Sequence, residues 1–370
     1  MVPALCTAAV FLSGCTIEPE TTLNPYPGKP RITFRQDGSF RLLVFADIHY
    51  GENPWDAWGP QQDIDTSHLM RAALAIEQPD YVVINGDLIT GENTFRKNST
   101  RLIDTIVQSL NEAKVPFSST HGNHDNQVNI THMEEIIRET SQAPLSYTRH
   151  SPAGVGGAGG PGNYWVPVYE METDTSPVLV MWFFDSRGGV NTDGTPIPDW
   201  VDESVARWIE EETEAMDAAW GSADSRSALA FVHIPPHAIQ ALQENLNSTT
   251  NPGLNADALG QGSTQASTDP RSEGNDHAFW HTLNTRVKNL RVVISGHDHG
   301  DEWCAREPTY GVIFCFSKHS GYGGYSEEGW GRGIRSLIFR STEPSDGIET
   351  YILLDDKTTR ARVVLNNEYK

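Results

Sequence analysis

Positive charge is scarce in this chain: 27 lysines and arginines stand against 49 aspartates and glutamates over 370 residues, a formal net charge of −22. That deficit excludes nucleic acid as a standing partner, because phosphate backbones are held by positive surface. A phosphate site remains possible, since bound metal ions reverse a local field. Cysteine is scarce too, with four in all, and two of them fall within the first 15 residues. The other two, Cys304 and Cys315, flank a Pro308-Thr309-Tyr310-Gly311 turn. In an exported protein that pair reads as a hairpin disulfide. No apolar run reaches the ~20 residues that span a bilayer, so no transmembrane segment is expected.

Residues 1–15 are small and apolar, placed like the core of a signal peptide, although no Lys or Arg precedes Lys29. Leu12-Ser13-Gly14-Cys15 also fits a bacterial lipobox, which would make Cys15 a lipid anchor in the cell envelope. Acceptor sequons at Asn98, Asn129 and Asn247 favour the secretory pathway or the extracellular space, with a glycosylated product. Residues 16–30, with three prolines after Asn24, read as a linker, and residues 31–370 as one catalytic domain.

Within that domain, apolar strands end repeatedly in polar residues. Phe40–Ala46 runs into Asp47-Ile48-His49, Tyr81–Asn85 into Gly86-Asp87, and Val115–Thr120 into His121-Gly122-Asn123-His124-Asp125. Leu229–Val232 runs into His233, and Val292-Val293-Ile294-Ser295 into Gly296-His297-Asp298-His299. Helical spacing separates the first three, at Met70–Glu77 and Leu102–Leu110, and a βαβ arrangement follows. Asp185 ends an apolar strand as well, but Ser186-Arg187-Gly188-Gly189 after it reads as an ordinary turn. The Gly154, Gly156, Gly159 run spells G-x-G-x-x-G, yet no strand precedes it and Pro161 follows, so it is a surface loop. Residues 200–220 form the clearest helix, with Val205, Trp208, Ile209 and Met216 on its core side. Residues 247–276 carry little that could be buried and read as a lid or specificity loop.

Asp47, His49, Asp87, Asn123, His124, His233, His297 and His299 mix carboxylate, amide oxygen and imidazole, the donor set of a site for two divalent transition metals. Singly, each has a bland reading as a turn residue or a hydrogen-bonded core histidine. Their joint order, D-x-H, GD, GNHD, H, GHDH, is not credible as coincidence. It resembles the calcineurin-like metallophosphoesterases from about Phe40 to Arg340, and Gly321-Tyr322-Gly323-Gly324-Tyr325 with Gly329-Trp330 resembles the plant and fungal purple-acid-phosphatase-like subgroup.

The resemblance implies an α/β fold, a four-layer α/β/β/α sandwich of two mixed sheets flanked by helices. It implies one metal on Asp47, His49 and His299, a second on Asn123, His233 and His297, and Asp87 bridging them. The implied chemistry is hydrolysis of a phosphate ester, foremost a monoester, by a hydroxide held between the metals, with His124 as acid. A phosphodiesterase would use the same site, and a metal-bound protein without catalysis is the reading from another class. Asp125 is expected to hydrogen-bond behind His124, while Asp298 points away and is structural. Purple enzymes carry tyrosine three residues after the bridging Asp, where this chain has Thr90, so the resemblance implies no strong demand for ferric iron and leaves the pair open among Fe(II), Zn and Mn. His237, His319, Tyr322 and Tyr325 are the candidates for contact with substrate.

Overall fold

Leu42 and Val44 lie in one hydrophobic cluster and their chain neighbours Leu43 and Phe45 in another. Successive strand residues point to opposite faces, so this strand must be covered on both sides. The same alternation holds for Tyr81/Val83 against Val82/Ile84, and for Met181/Phe183 against Val180/Trp182. The result is a stack of four layers.

The computed structural model describes residues 23–259 and 274–370. The leader with Cys15, most of the linker and residues 260–273 of the long loop lie outside that range. One sheet has six strands in the order β13 (Thr359–Leu365), β12 (Ile348–Leu354), β11 (Gly333–Phe339), β2 (Phe40–Phe45), β3 (Tyr81–Asn85), β4 (Phe117–Thr120). The other has seven: β1 (Ile32–Thr33), β5 (Tyr164–Tyr169), β6 (Leu179–Phe184), β7 (Ser227–Val232), β8 (Leu290–Ser295), β10 (Ile313–Phe316), β9 (Cys304–Arg306). Both are mixed. Their inner faces share one core, in which Phe40, Leu42, Val83 and Leu337 meet Val166, Phe183, Phe231 and Ile294. Helices α1 (Gly59–Glu77) and α2 (Arg101–Ala113) cover the six-stranded sheet, and α4 (Ser204–Trp220) and α5 (His277–Arg286) the seven-stranded one. Helix α3 (His132–Gln142) packs beside α2. Among the described residues, no helix is long and apolar enough to cross a membrane.

The parallel pairs β2–β3 and β3–β4 bring three strand ends to one edge, and β7–β8 brings two more to the edge of the other sheet. Bonds between the sheets join those edges. Ala46 bridges His319, and Asn85 Nδ2 donates to Ile294 O at 3.1 Å.

Five elements escape the sequence pattern, and α1 runs further than its short apolar repeat. Helix α3 buries His132, Glu135 and Glu139 beside Ile136, so its inward face is polar and carries no apolar period, although Thr131 caps it by accepting from Glu134 N. Helix α5 spans ten residues, β1 and β9 are very short, and β13 is an edge strand with much of its surface exposed.

Cys304 and Cys315 sit opposite each other in the β9–β10 hairpin and are disulfide-bonded. Closing so short a loop constrains the unfolded chain modestly. Replacing both by serine is expected to lower the unfolding free energy by about 2–3 kcal/mol, read from urea denaturation under non-reducing conditions. An unchanged midpoint would show that the bond adds nothing to stability.

Candidate metal centre

Asp47 and His49 follow β2, Asp87 follows β3, Asn123 follows β4, His233 follows β7, and His297 and His299 follow β8. Four of these seven have left-handed backbone: Asp47 at φ 54°, His49 at 44°, Asp87 at 49° and His297 at 77°. For residues with a Cβ this conformation costs roughly 1–2 kcal/mol each and persists only where the surroundings enforce it. Enforcement comes from backbone bonds across the strand ends: Asp47 N to Gly86 O, His49 N to Asp87 O and Gly296 N to His233 O, each 3.0 Å. Two glycines are obligatory for space. A Cβ on Gly86 would lie 2.2 Å from His233 Nδ1, and one on Gly122 2.3 Å from Asp87 Oδ1.

The donors gather in two groups, Asp47 with His49 and His299, and Asp87 with His233 and His297, each with its ligand atoms within 4.8 Å of one another. Asp87 Oδ2 stands between them, 3.1 Å from His233 Nε2 and 3.7 Å from His49 Nε2. The imidazoles are oriented from behind. His233 Nδ1 donates to Asn85 O at 2.8 Å and His299 Nδ1 to Tyr325 O at 2.7 Å. His49 Nδ1 donates to Thr90 Oγ1 at 2.9 Å, and that hydroxyl donates in turn to Glu52. Carbonyls only accept, so these rings carry hydrogen on Nδ1 and turn Nε2 inward.

Burial, which outweighs the pull of Asp87 on His49, holds both His49 and His299 well below the usual imidazole pKa. Two bare Nε2 lone pairs therefore face each other 3.2 Å apart. Asn123 Oδ1 is buried with no hydrogen-bond partner. Facing acceptors and an orphaned amide oxygen are what a cation satisfies, and the residues present fit a pair of divalent metals.

His124 lines the cavity of ≈ 360 Å³ that opens onto both groups, together with Glu52, Glu92, Gly324 and Tyr325. Asp125 does not back it. The Asp125 carboxylate accepts from Ile89 N at 2.9 Å and Gly122 N at 2.8 Å, clamping the Asp87 loop to the Asn123 loop. The residue behind His124 is Glu92, whose Oε1 is 2.7 Å from Nδ1. Burial pulls the His124 pKa down, but Asp87 and Glu92 outweigh it and raise it to about 9.

Of the four residues expected at the mouth, Tyr325 alone lines the cavity. His319 is buried behind His299, with ring centroids 4.0 Å apart and its Nε2 donating to Gly323 O. His237 is buried, and its backbone N–H goes to Asp276. Tyr322 turns its hydroxyl to Asp355. Asp298 is buried, in keeping with a structural part. Glu52 and Glu92 were missed by sequence reasoning: each lies three to five residues past a ligand, but acidic residues are too common here for that to stand out.

A family model described as calcineurin-like phosphoesterase matches residues 40–301. The chain belongs to that family. Among relatives of this phosphoesterase is "Probable inactive purple acid phosphatase 14" of Arabidopsis thaliana, 25% identical over 89% of this chain and 84% of the relative. "Phosphatase DCR2" of Saccharomyces cerevisiae is 28% identical over 76% of this chain and 47% of its own length. Among solved structures, a dimetal phosphatase from Danio rerio superposes with a TM-score of 0.51 at 14% identity, over 90% of this chain and 99% of that one. That likeness shows the shared two-sheet fold.

Asp185 takes no part in the phosphoesterase donor groups. It is buried with His132, whose Nδ1 lies 2.9 Å from Oδ2 while its Nε2 donates to Gly122 O at 2.8 Å. Burial opposes charge on both, but their mutual attraction prevails: the His132 pKa is raised and the Asp185 pKa lowered. The His132 contribution to stability is whole below its ordinary 6.5 and fades as pH rises through its raised value. The Asp185 contribution is whole above its ordinary 3.8 and fades as pH falls through its lowered value. Asp185→Asn should therefore cost about 3 kcal/mol, with the largest loss between about pH 4 and 6.5 and a smaller one above. Urea melts across pH would show this, and a pH-independent loss would contradict the charged pair.

Stripped with a chelator and reloaded with Mn(II) or Zn(II), the wild-type chain should bind two equivalents by plasma mass spectrometry, and His233→Ala fewer. Uptake of a single equivalent by the wild type would dismiss a dinuclear centre.

Proposed function

We propose that this phosphoesterase hydrolyses phosphate monoesters with two divalent cations bound, one on Asp47, His49 and His299, the other on Asn123, His233 and His297, with Asp87 between them. When bound, the cations would polarise the phosphoryl oxygens and supply a hydroxide nucleophile near neutral pH. The observation that carries the reading is His124 on the wall of the cavity that both donor groups share.

Glu92 holds Nδ1 of His124 and favours the protonated ring, which suits it to act as the acid. With Nδ1 held by Glu92, Nε2 is the atom left to give a proton to the departing alkoxide. Its backbone N–H donates to Asp87 Oδ1 at 2.9 Å, which keeps the acid in register with the central carboxylate. Burial of the ligand set excludes bulk water and strengthens these interactions.

A diester reading has one observation in its favour: among the described residues, no lysine or arginine lines the cavity, and a diester brings one negative charge fewer. The Arabidopsis relatives are named inactive, but here all seven donors and His124 are present. Export to an oxidising compartment belongs to the same proposal, supported by the Cys304–Cys315 bond. Asn98 is exposed for a glycan, whereas Asn129 spends its amide on Thr94 O.

Chromogenic monoester and diester, assayed side by side with metal content measured, test the reading. Monoester turnover should lead, and two bound metals with no turnover of either would end the enzyme proposal. His124→Ala should keep both metals and lose about 10²–10⁴-fold in kcat, and Glu92→Gln should lose about tenfold. A variant at 124 that emptied the site would refute this division of roles.

A further inference from the structure

Among the described residues, four large aromatic side chains are exposed: Trp55 at 62%, Trp58 at 56%, Phe95 at 61% and Tyr325 at 44%. Every one belongs to a segment that lines the cavity at the metal centre. Tyr325 is itself in the wall, Trp55 and Trp58 follow Glu52, and Phe95 follows Glu92. Single exposed apolar residues scattered over a surface need no explanation. Tyr325 lines the cavity, and the other three exposed aromatics stand within three to six residues of its wall residues Glu52 and Glu92, a grouping that scatter does not account for.

The three segments are packed side by side. Asn93 Nδ2 donates to Glu52 O, joining the Trp55 and Phe95 segments. Gly323 is so close to Glu52 that a Cβ on it would lie 2.9 Å from Glu52 Cβ, and Gln62 Nε2 donates to Tyr322 O at 2.6 Å. Three residues of chain reach at most about 11 Å, so Trp55 and Phe95 cannot stand further than that from Glu52 and Glu92. Beneath the rim the wall offers Glu52 and Glu92 beside the ligands, and no lysine or arginine. A substrate alcohol with negative charge of its own would be repelled there, while a flat apolar one would find ring faces.

We propose that this rim selects the alcohol half of the substrate, a phosphate ester of an aromatic or similarly flat apolar alcohol carrying no further negative charge; the proposal rests on the phosphoesterase reading above. The test uses the metal-loaded full chain with 2-(1-naphthyl)ethyl phosphate, ethyl phosphate, and the naphthyl ester bearing a ring carboxylate. Both alcohols are primary, so leaving-group reactivity is close to matched. The neutral naphthyl ester should exceed ethyl phosphate by about tenfold in kcat/KM, with the difference in KM, and the carboxylate should remove most of it. In Trp55→Ala/Phe95→Ala, with folding checked by circular dichroism and thermal melting, the naphthyl-to-ethyl ratio should fall toward one.

Turnover of both esters with a ratio near one in the wild type, or a ratio that survives in the double variant, overturns the rim and leaves the hydrolase reading intact. A carboxylate ester as good as the neutral one overturns the charge selection. No turnover of any ester overturns the hydrolase reading instead. The non-hydrolysable phosphonates then decide the rim by calorimetry, where equal Kd for naphthylethyl and ethyl phosphonate overturns it.

Discussion

Buried negative charge at Asp87 is the constraint that the surrounding residues answer. Its carboxylate is 1% exposed, and an isolated carboxylate in such a place would cost several kcal/mol. Positive or hydrogen-bonding partners must therefore converge on it, and they come from both sheets: the backbone N–H of His124 after β4 and the imidazole of His233 after β7. Burial works against ionisation of Asp87, but His233 and His124 outweigh it and hold its pKa well below the ordinary carboxylate value. An ionised acid at the meeting point of two imidazole-rich groups is the natural seat for a pair of cations.

Holding that geometry has a conformational cost, since Asp47, His49, Asp87 and His297 are all left-handed. The strain is met by backbone bonds between strand ends and by Asp125, which reaches from the Asn123 loop to Ile89 in the Asp87 loop. A second layer lies deeper. His132 holds Gly122 O on one side and Asp185 on the other, and Glu139 accepts from the hydroxyls of Ser119, Ser146 and Thr148. Helix α3 thus gives its buried face to polar groups beneath β4, so stability and site geometry depend on the same hydrogen bonds.

Much of this was legible in the chain. Strands β2, β3, β4, β7 and β8 announce themselves as apolar runs, and the polar residues after them announce the groups that the fold gathers at the candidate metal centre, because both are local patterns of a few residues. The hairpin disulfide was legible for the same reason. Helix α3 was not, since a helix that buries His132, Glu135 and Glu139 has no apolar stripe to read. Nor were the partners of His124: Asp125, adjacent in sequence, turns back to backbone amides, while Glu92, 32 residues away, makes the bond.

Sequence by itself determined the apolar strands, their βαβ alternation and the order of the polar residues that end them, because strand periodicity and short polar motifs are written in contiguous residues, and the two-sheet class followed from the family those motifs resemble. Tertiary structure alone decided which donors share a group, which acid stands behind His124, and why His237, His319 and Tyr322 stay out of the cavity. Those outcomes depend on left-handed turns at the strand ends and on contacts between sheets far apart in the chain. Neither leaves a periodic trace in the order of residues.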